Sequence, residues 1–493
     1  MVRRSRKLGA RRAGAFLLGV VLALTACSDD DGASSAADER TDAPAPAVDV
    51  SGPITGGTQG RPANAMPPDL ADEYGYVEQE YFVTGDATAY APVGDLGTDG
   101  LWTVEPAGTA PYTTRVLVRA PADADDFNGT VVVEWLNVTA GVDADPDFGL
   151  LNPVLLGDGY AYVAVSAQAV SVNGGEGITL EIPGAPTNLL QPLKTLDPER
   201  YAPLNHPGDD YSYDMVTQVG QLARSGDLLD GAAVDQVILI GESQSAGRLT
   251  TYVNAVQPEA EAYDGFLVHS RFTSGAPISE EATAPPEGLA IRTDLDAPVL
   301  IFETETDLVR GYIAARQPDT EGVVTWEVAG TAHADASITE YGAEANGISL
   351  DFSELCGPIN TGPQREVLRA AFVALTDWVV DGTAPPPAEP IESTDSQLVR
   401  DENGLAVGGI RTPAVDAPIA TLSGENQAES VICSLFGSTV PFTPEQLAQL
   451  YPTHEDYVAA VTESADAAVE AGFLRPEDRD AIVAEAEDAP VPS

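Results

Sequence analysis

Residues 237–248 read VILIGESQSAGR: a branched apolar run enters Gly241-Glu242-Ser243-Gln244-Ser245 and continues into a stretch of helical character. A short apolar run of this kind suits a strand covered on both faces. Gly-x-Ser-x-small between a strand and a helix is the layout of a nucleophile elbow. The turn holds the serine in strained backbone geometry, so only small residues fit two positions to either side. The hydroxyl then projects at the carboxyl end of the sheet, at the positive end of the next helix. Ser245 stands where the pattern has its second glycine. A rival register makes Ser245 the nucleophile within Ser-x-Ser-x-Gly; Ser243 is preferred because Gly241 directly follows the strand.

A serine hydroxyl is a weak nucleophile until a base takes its proton. An elbow serine needs an acid and then a histidine downstream, each after a strand. Residues 297–302 (APVLIF) predict a strand, and Glu303-Thr304-Glu305-Thr306-Asp307 follows it. Residues 323–328 (VVTWEV) predict the next strand, followed by Ala329-Gly330-Thr331-Ala332-His333. His333 is therefore expected as general base and Asp307 as the acid that orients it, with Glu305 or Glu303 as alternatives for the acid. Of the other histidines, His269 closes a strand and reads as a packed structural residue, while His206 and His454 read as surface or structural. The oxyanion hole is expected to combine the Gln244 N–H with that of Leu136 or Asn137, in the loop 135–141 at the end of the apolar run 130–137 (TVVVEWLN). The acidic run Asp143, Asp145, Asp147 is expected to be a solvated loop rather than a calcium site. The four scattered histidines lack the spacing of a metallohydrolase, so no metal or cofactor is expected.

Outward from this centre, apolar runs at 160–166, 236–241, 265–269, 299–303 and 323–328 alternate with helical stretches at 209–224, 246–256 and 366–380. That alternation predicts an α/β domain with a mostly parallel sheet. The earlier runs, 76–90 and 113–120, are joined by short links and predict an antiparallel edge. Residues 168–207, rich in Gly and Pro, lie between a strand and a helix and are expected to be a cap or lid. Beyond 382 about 110 residues remain, with helical stretches near 444–450 and 455–471. We expect a main domain at 54–382 and a C-terminal extension, 383–493, packed on it.

The chain has 493 residues, with 24 Lys+Arg against 77 Asp+Glu and a formal net charge of −53. A surface this negative repels nucleic acid and disfavours docking on anionic lipid. Arg3, Arg4, Arg6, Lys7, Arg11 and Arg12 precede an apolar run, 13–26, that is too short to span a bilayer. The run ends Leu24-Thr25-Ala26-Cys27, similar to a bacterial lipobox. Residues 1–26 are thus expected to be a signal peptide, Cys27 the lipidated first residue, and 27–53 a disordered tether. Export makes the compartment oxidising, so Cys356 and Cys433 are expected to form a disulfide across a long loop, which would staple the extension to the main domain.

VEWLNV (133–138), GESQS (241–245), ETETD (303–307), AGTAH (329–333) and GGIR (408–411), together with the late Cys433, resemble a family of large exported "alpha/beta hydrolase domain" proteins of bacteria and fungi. The resemblance covers most of the chain from about residue 50. It implies the α/β-hydrolase fold, a mostly parallel central sheet flanked by helices, and serine hydrolase chemistry, and it leaves the substrate open. The leading expectation is a carboxylic ester hydrolase held outside the cell by its lipid anchor, acting on a small-molecule ester. A peptidase or amidase on the same fold, and a non-catalytic surface-binding lipoprotein, are the alternatives.

Overall fold

The computed structural model describes residues 47–175, 191–346, 352–394, 396–426, 430 and 432–491. The expected signal segment 1–26, Cys27, the tether up to residue 46 and residues 176–190 of the cap lie outside the described residues. Within them, the apolar runs form β1 (Asp49–Ser51), β2 (Tyr76–Pro92), β3 (Val104–Pro121), β4 (Thr130–Trp135), β5 (Ala161–Val165), β6 (Gln236–Glu242), β7 (Gly265–His269), β8 (Val299–Thr304) and β9 (Val323–Val328). They build one nine-stranded sheet in the order β1-β2-β3-β5-β4-β6-β7-β8-β9. From β5 through β9 every neighbouring pair is parallel. The other end is the expected antiparallel edge, a long β2–β3 hairpin. β1 pairs with Thr84–Phe82 at its outer side, so residues 49–51, expected in the tether, belong to the sheet.

The alternation of side chains along a strand explains why these runs are almost wholly apolar. Val131, Val133, Val237 and Leu239 face one core, with Val216, Val219 and Leu222 of the helix Ser212–Ser225. Val132, Ile238 and Ile240 face the opposite core, with Leu151 of the helix Pro146–Gly157 and Phe372 and Leu375 of the helix Gln364–Asp381. Each such side chain contributes about 1.5–3 kcal/mol by leaving water, so the two-sided burial fixes the register of the central strands.

The chain after residue 382 returns to the sheet. Ile410 bridges Val328 in parallel, and the indole of Trp326 donates to the Pro386 carbonyl at 3.0 Å. Arg316 pairs with Glu327 and donates to the Ile391 carbonyl. A small sheet, β10 (Ala420–Ser423) with β11 (Ser438–Pro441), flanks the Cys433 turn, and Cys356 is disulfide-bonded to Cys433.

Candidate active site

β6 ends at Glu242, and the helix Gln244–Thr251 begins two residues later. The single residue between them, Ser243, has φ 61° and ψ −117°, a conformation that L residues rarely adopt. The small neighbours follow from packing. A Cβ on Gly241 would lie 3.0 Å from Leu249 and 3.1 Å from the Cβ of Ser245. The turn thus tolerates the Cβ of Ser245 because position 241 has none. Ser245 itself is fully buried and its hydroxyl has no described partner.

Ser243 Oγ lies 2.7 Å from Nε2 of His333, and Nδ1 of His333 lies 2.7 Å from Oδ1 of Asp307. The second oxygen of Asp307 accepts from the backbone N–H and the hydroxyl of Thr304, at 2.8 and 2.6 Å. One carboxylate thereby caps its own short helix, Glu305–Val309, and aims its free oxygen at the imidazole. Burial works against the Asp307 charge, but the proximity of His333 and the hydrogen bonds to His333 and Thr304 outweigh it and hold the pKa low. For His333 the balance is the mirror image: burial disfavours the cation, while Asp307 and Glu242 overcome it and raise the pKa. Phe272 stacks on the His333 ring, with centroids 5.2 Å apart.

The two alternative acids are engaged elsewhere. Glu305 accepts from the N–H groups of Gly330 and Gly424 and from Arg400. Glu303 is buried with neither oxygen bonded among the described residues, and burial, reinforced by the Asp307 charge, pushes its pKa well up.

Gln244 opens its helix, where the first N–H groups have no intrahelical acceptor. The two residues expected to supply the second donor turn their N–H groups to backbone carbonyls. The Asn137 N–H donates to the Ala144 carbonyl at 2.9 Å, and the Leu136 N–H points to Val165 at 3.4 Å. An antiparallel bridge that closes the loop takes up the Asn137 group. The next N–H along, that of Val138, donates to no acceptor among the described residues.

Sequence reasoning missed Glu242. Its Oε1 lies 3.3 Å from His333 Nε2, and the Asn137 side chain donates to its Oε2 at 3.0 Å. Burial raises its pKa to about 7. Its only signal in the sequence was its place as the middle residue of Gly-x-Ser.

The acidic run is not solvated, contrary to expectation. Asp143 bonds Arg115 and Ser166, Asp145 bonds Arg119, and Asp147 bonds His269, all in the interior. Two β3 arginines, Arg115 and Arg119, and one strand-end histidine draw the loop inward. His269 is buried as expected, and so is His206, which lies 2.9 Å from the Ala167 carbonyl oxygen. His454 lies partly buried at a helix start, 2.8 Å from the Val491 carbonyl oxygen.

The structure also has a cavity of about 330 Å³. Neither Ser243 nor His333 lines it. Ala334, the residue after His333, and Ala140, in the loop after β4, are part of its wall. Leu193 and Tyr201, from the expected cap, form another part of its wall.

A family model described as "Alpha/beta hydrolase domain" matches residues 50–484. The chain belongs to this alpha/beta hydrolase family. The match takes in nearly all of the region after residue 382, so that region is part of the family's own domain. Among curated proteins none matches. Similar solved structures include a serine hydrolase without lid from Xanthomonas campestris, 12% identical, covering 53% of this chain and 93% of that one, TM-score 0.25. A fungal esterase from Rhizomucor miehei is 11% identical, covering 55% and 81%, TM-score 0.26. A glucuronoyl esterase from Solibacter usitatus is 13% identical, covering 56% and 69%, TM-score 0.25. The hydrolase family supplies the fold and the general reaction class.

Proposed function

We propose that this hydrolase is a serine carboxylic ester hydrolase working through an acyl-enzyme. The observation that carries the reading is the unbroken hydrogen-bond relay from Ser243 Oγ through His333 to Asp307, each link 2.7 Å. Ser243 Oγ attacks the acyl carbon while His333 Nε2 takes its proton. The C–O bond to the alcohol then breaks, and His333 returns the proton to the leaving oxygen. Water, deprotonated by the same nitrogen, attacks the acyl-enzyme and releases the acid. Asp307 fixes the imidazole with Nδ1 as donor, so that Nε2 is the free base. The N–H groups of Gln244 and Val138 are assigned to the developing oxyanion. The lipobox-like ending at Cys27 supports export and anchoring by lipid, with a small-molecule ester as substrate.

The decisive measurement is turnover of p-nitrophenyl esters of graded acyl length by the purified domain and by Ser243→Ala, with fluorophosphonate labelling of both. Turnover and labelling that depend on Ser243 are expected. Labelling that survives in Ser243→Ala would move the nucleophile elsewhere. For the anchor, metabolic labelling with a radioactive fatty acid should mark the wild-type chain and not Cys27→Ser.

A further inference from the structure

In a chain with 77 acids, a cation without a carboxylate is conspicuous. Among the described Arg and Lys side chains, all but Arg61, Lys194, Arg271 and Arg310 bond a carboxylate. Lys194 donates to the Leu204 carbonyl, and Arg271 is buried and donates to backbone carbonyls. Arg61 and Arg310 are left, and both are exposed.

One lies in the wall of the cavity and the other beside the imidazole. Arg61 lines the cavity directly. Arg310 sits with its guanidinium carbon 5.6 Å from the centre of the Phe272 ring, the ring that stacks on His333. Its Nη1 donates to Ser434 Oγ at 2.7 Å, in the turn whose Ile432 and Phe436 form cavity wall. Its charge lowers the His333 pKa, which puts it within electrostatic reach of the ring. The carboxylates in the same wall, Asp143 and Asp145, are taken by Arg115 and Arg119. The two cations are thus left for something outside the protein, in a molecule whose overall field repels anions.

We infer that the ester cleaved at Ser243 carries an acidic group on its non-reacting part, held by Arg310 beside the Phe272–His333 stack or by Arg61 in the cavity wall. The inference rests on the serine hydrolase reading and narrows its substrate class. A carboxylate that meets an arginine gains a charge-assisted hydrogen bond that an uncharged group of the same size lacks.

The test compares kcat/KM for matched pairs of esters. One pair places the acid in the acyl part, mono-p-nitrophenyl glutarate against p-nitrophenyl pentanoate. The other places it in the leaving group, 4-acetoxybenzoate against phenyl acetate. The wild type is expected to prefer the acidic member of at least one pair. That preference should fall about tenfold in Arg310→Gln or Arg61→Gln and reverse in Arg310→Glu, which loss of folding would not produce. No preference in either pair, or a preference that survives all three substitutions, overturns the inference. Turnover that persists in Ser243→Ala would instead defeat the serine hydrolase reading, so the two failures are distinct.

Discussion

Nδ1 of His269 lies 2.7 Å from Oδ1 of Asp147, the same bond length that joins His333 to Asp307. Among the described residues the hydrolase thus carries two buried His–Asp pairs at the carboxyl ends of its strands, of which one reaches a serine. His269 turns its other nitrogen to the Gln364 side-chain amide, 3.0 Å away, and its ring meets Phe302 edge-on. The deeper pair ties three segments together: the end of β7, the start of the helix Pro146–Gly157 and the start of the helix Gln364–Asp381. We read it as support for the site rather than as part of its chemistry.

That support is testable by stability. His269→Ala leaves Asp147 buried without its cationic partner, and a loss of about 3–5 kcal/mol is expected. Burial opposes the His269 cation, but Asp147 overrides it and raises the folded pKa. The protonated pair therefore contributes fully below the ordinary histidine range, and the contribution fades as pH rises through the raised value. Thermal unfolding at several pH values should show the gap between wild type and variant narrowing upward in pH.

Replacing the nucleophile should separate the two serine registers. Ser243→Ala should lower kcat on an activated ester by about ten-thousandfold or more, and Asp307→Asn by a similar order through loss of the productive imidazole orientation. Ser245→Ala removes a hydroxyl with no described partner, so its kcat should stay within about threefold of wild type. A steady-state assay on one p-nitrophenyl ester checks all three.

Glu242 should set the acid limb of the pH profile. His333 must be neutral to accept the serine proton, and both Asp307 and Glu242 raise its pKa. Activity should therefore fall with decreasing pH at a point above the ordinary histidine value. Glu242→Gln keeps a partner for the Asn137 side chain but removes one of the two carboxylates, so the limb should move to lower pH. A limb that stays in place would show that Asp307 alone sets it.

The Cys356–Cys433 bond spans a sequence separation of 77 residues. Closing a loop of that length stabilises by about 2–5 kcal/mol. Cys433→Ser, or reduction of the wild type, should lower the melting temperature by several degrees. The turn it anchors supplies Ile432 and Phe436 to the cavity, so KM for esters with bulky acyl chains should rise as well. Calorimetry with and without reductant, beside a KM series, tests both effects.

The sheet, and the segments that bring Ser243, His333 and Asp307 into hydrogen-bond contact, were legible because each left a local mark. Strands covered on both faces leave continuous apolar runs, as at 130–135 and 236–240. The elbow leaves small residues at fixed offsets, because Gly241 and Ser245 share one cramped space. His333 and Asp307 each follow a strand that the pattern already showed. What failed was whatever depends on a partner far away in the chain. Asp143, Asp145 and Asp147 look like a wet acidic loop until Arg115, Arg119 and His269 are seen pulling them inward. The Asn137 N–H is taken by a backbone bond to Ala144 that no composition records. Glu242 acquires its place beside the imidazole only once β6 and the loop after β9 meet. Local sequence fixes backbone conformation and apolar patterning through short-range sterics and burial. The partner of a buried charge is decided by desolvation, which exists only after distant segments have closed around it.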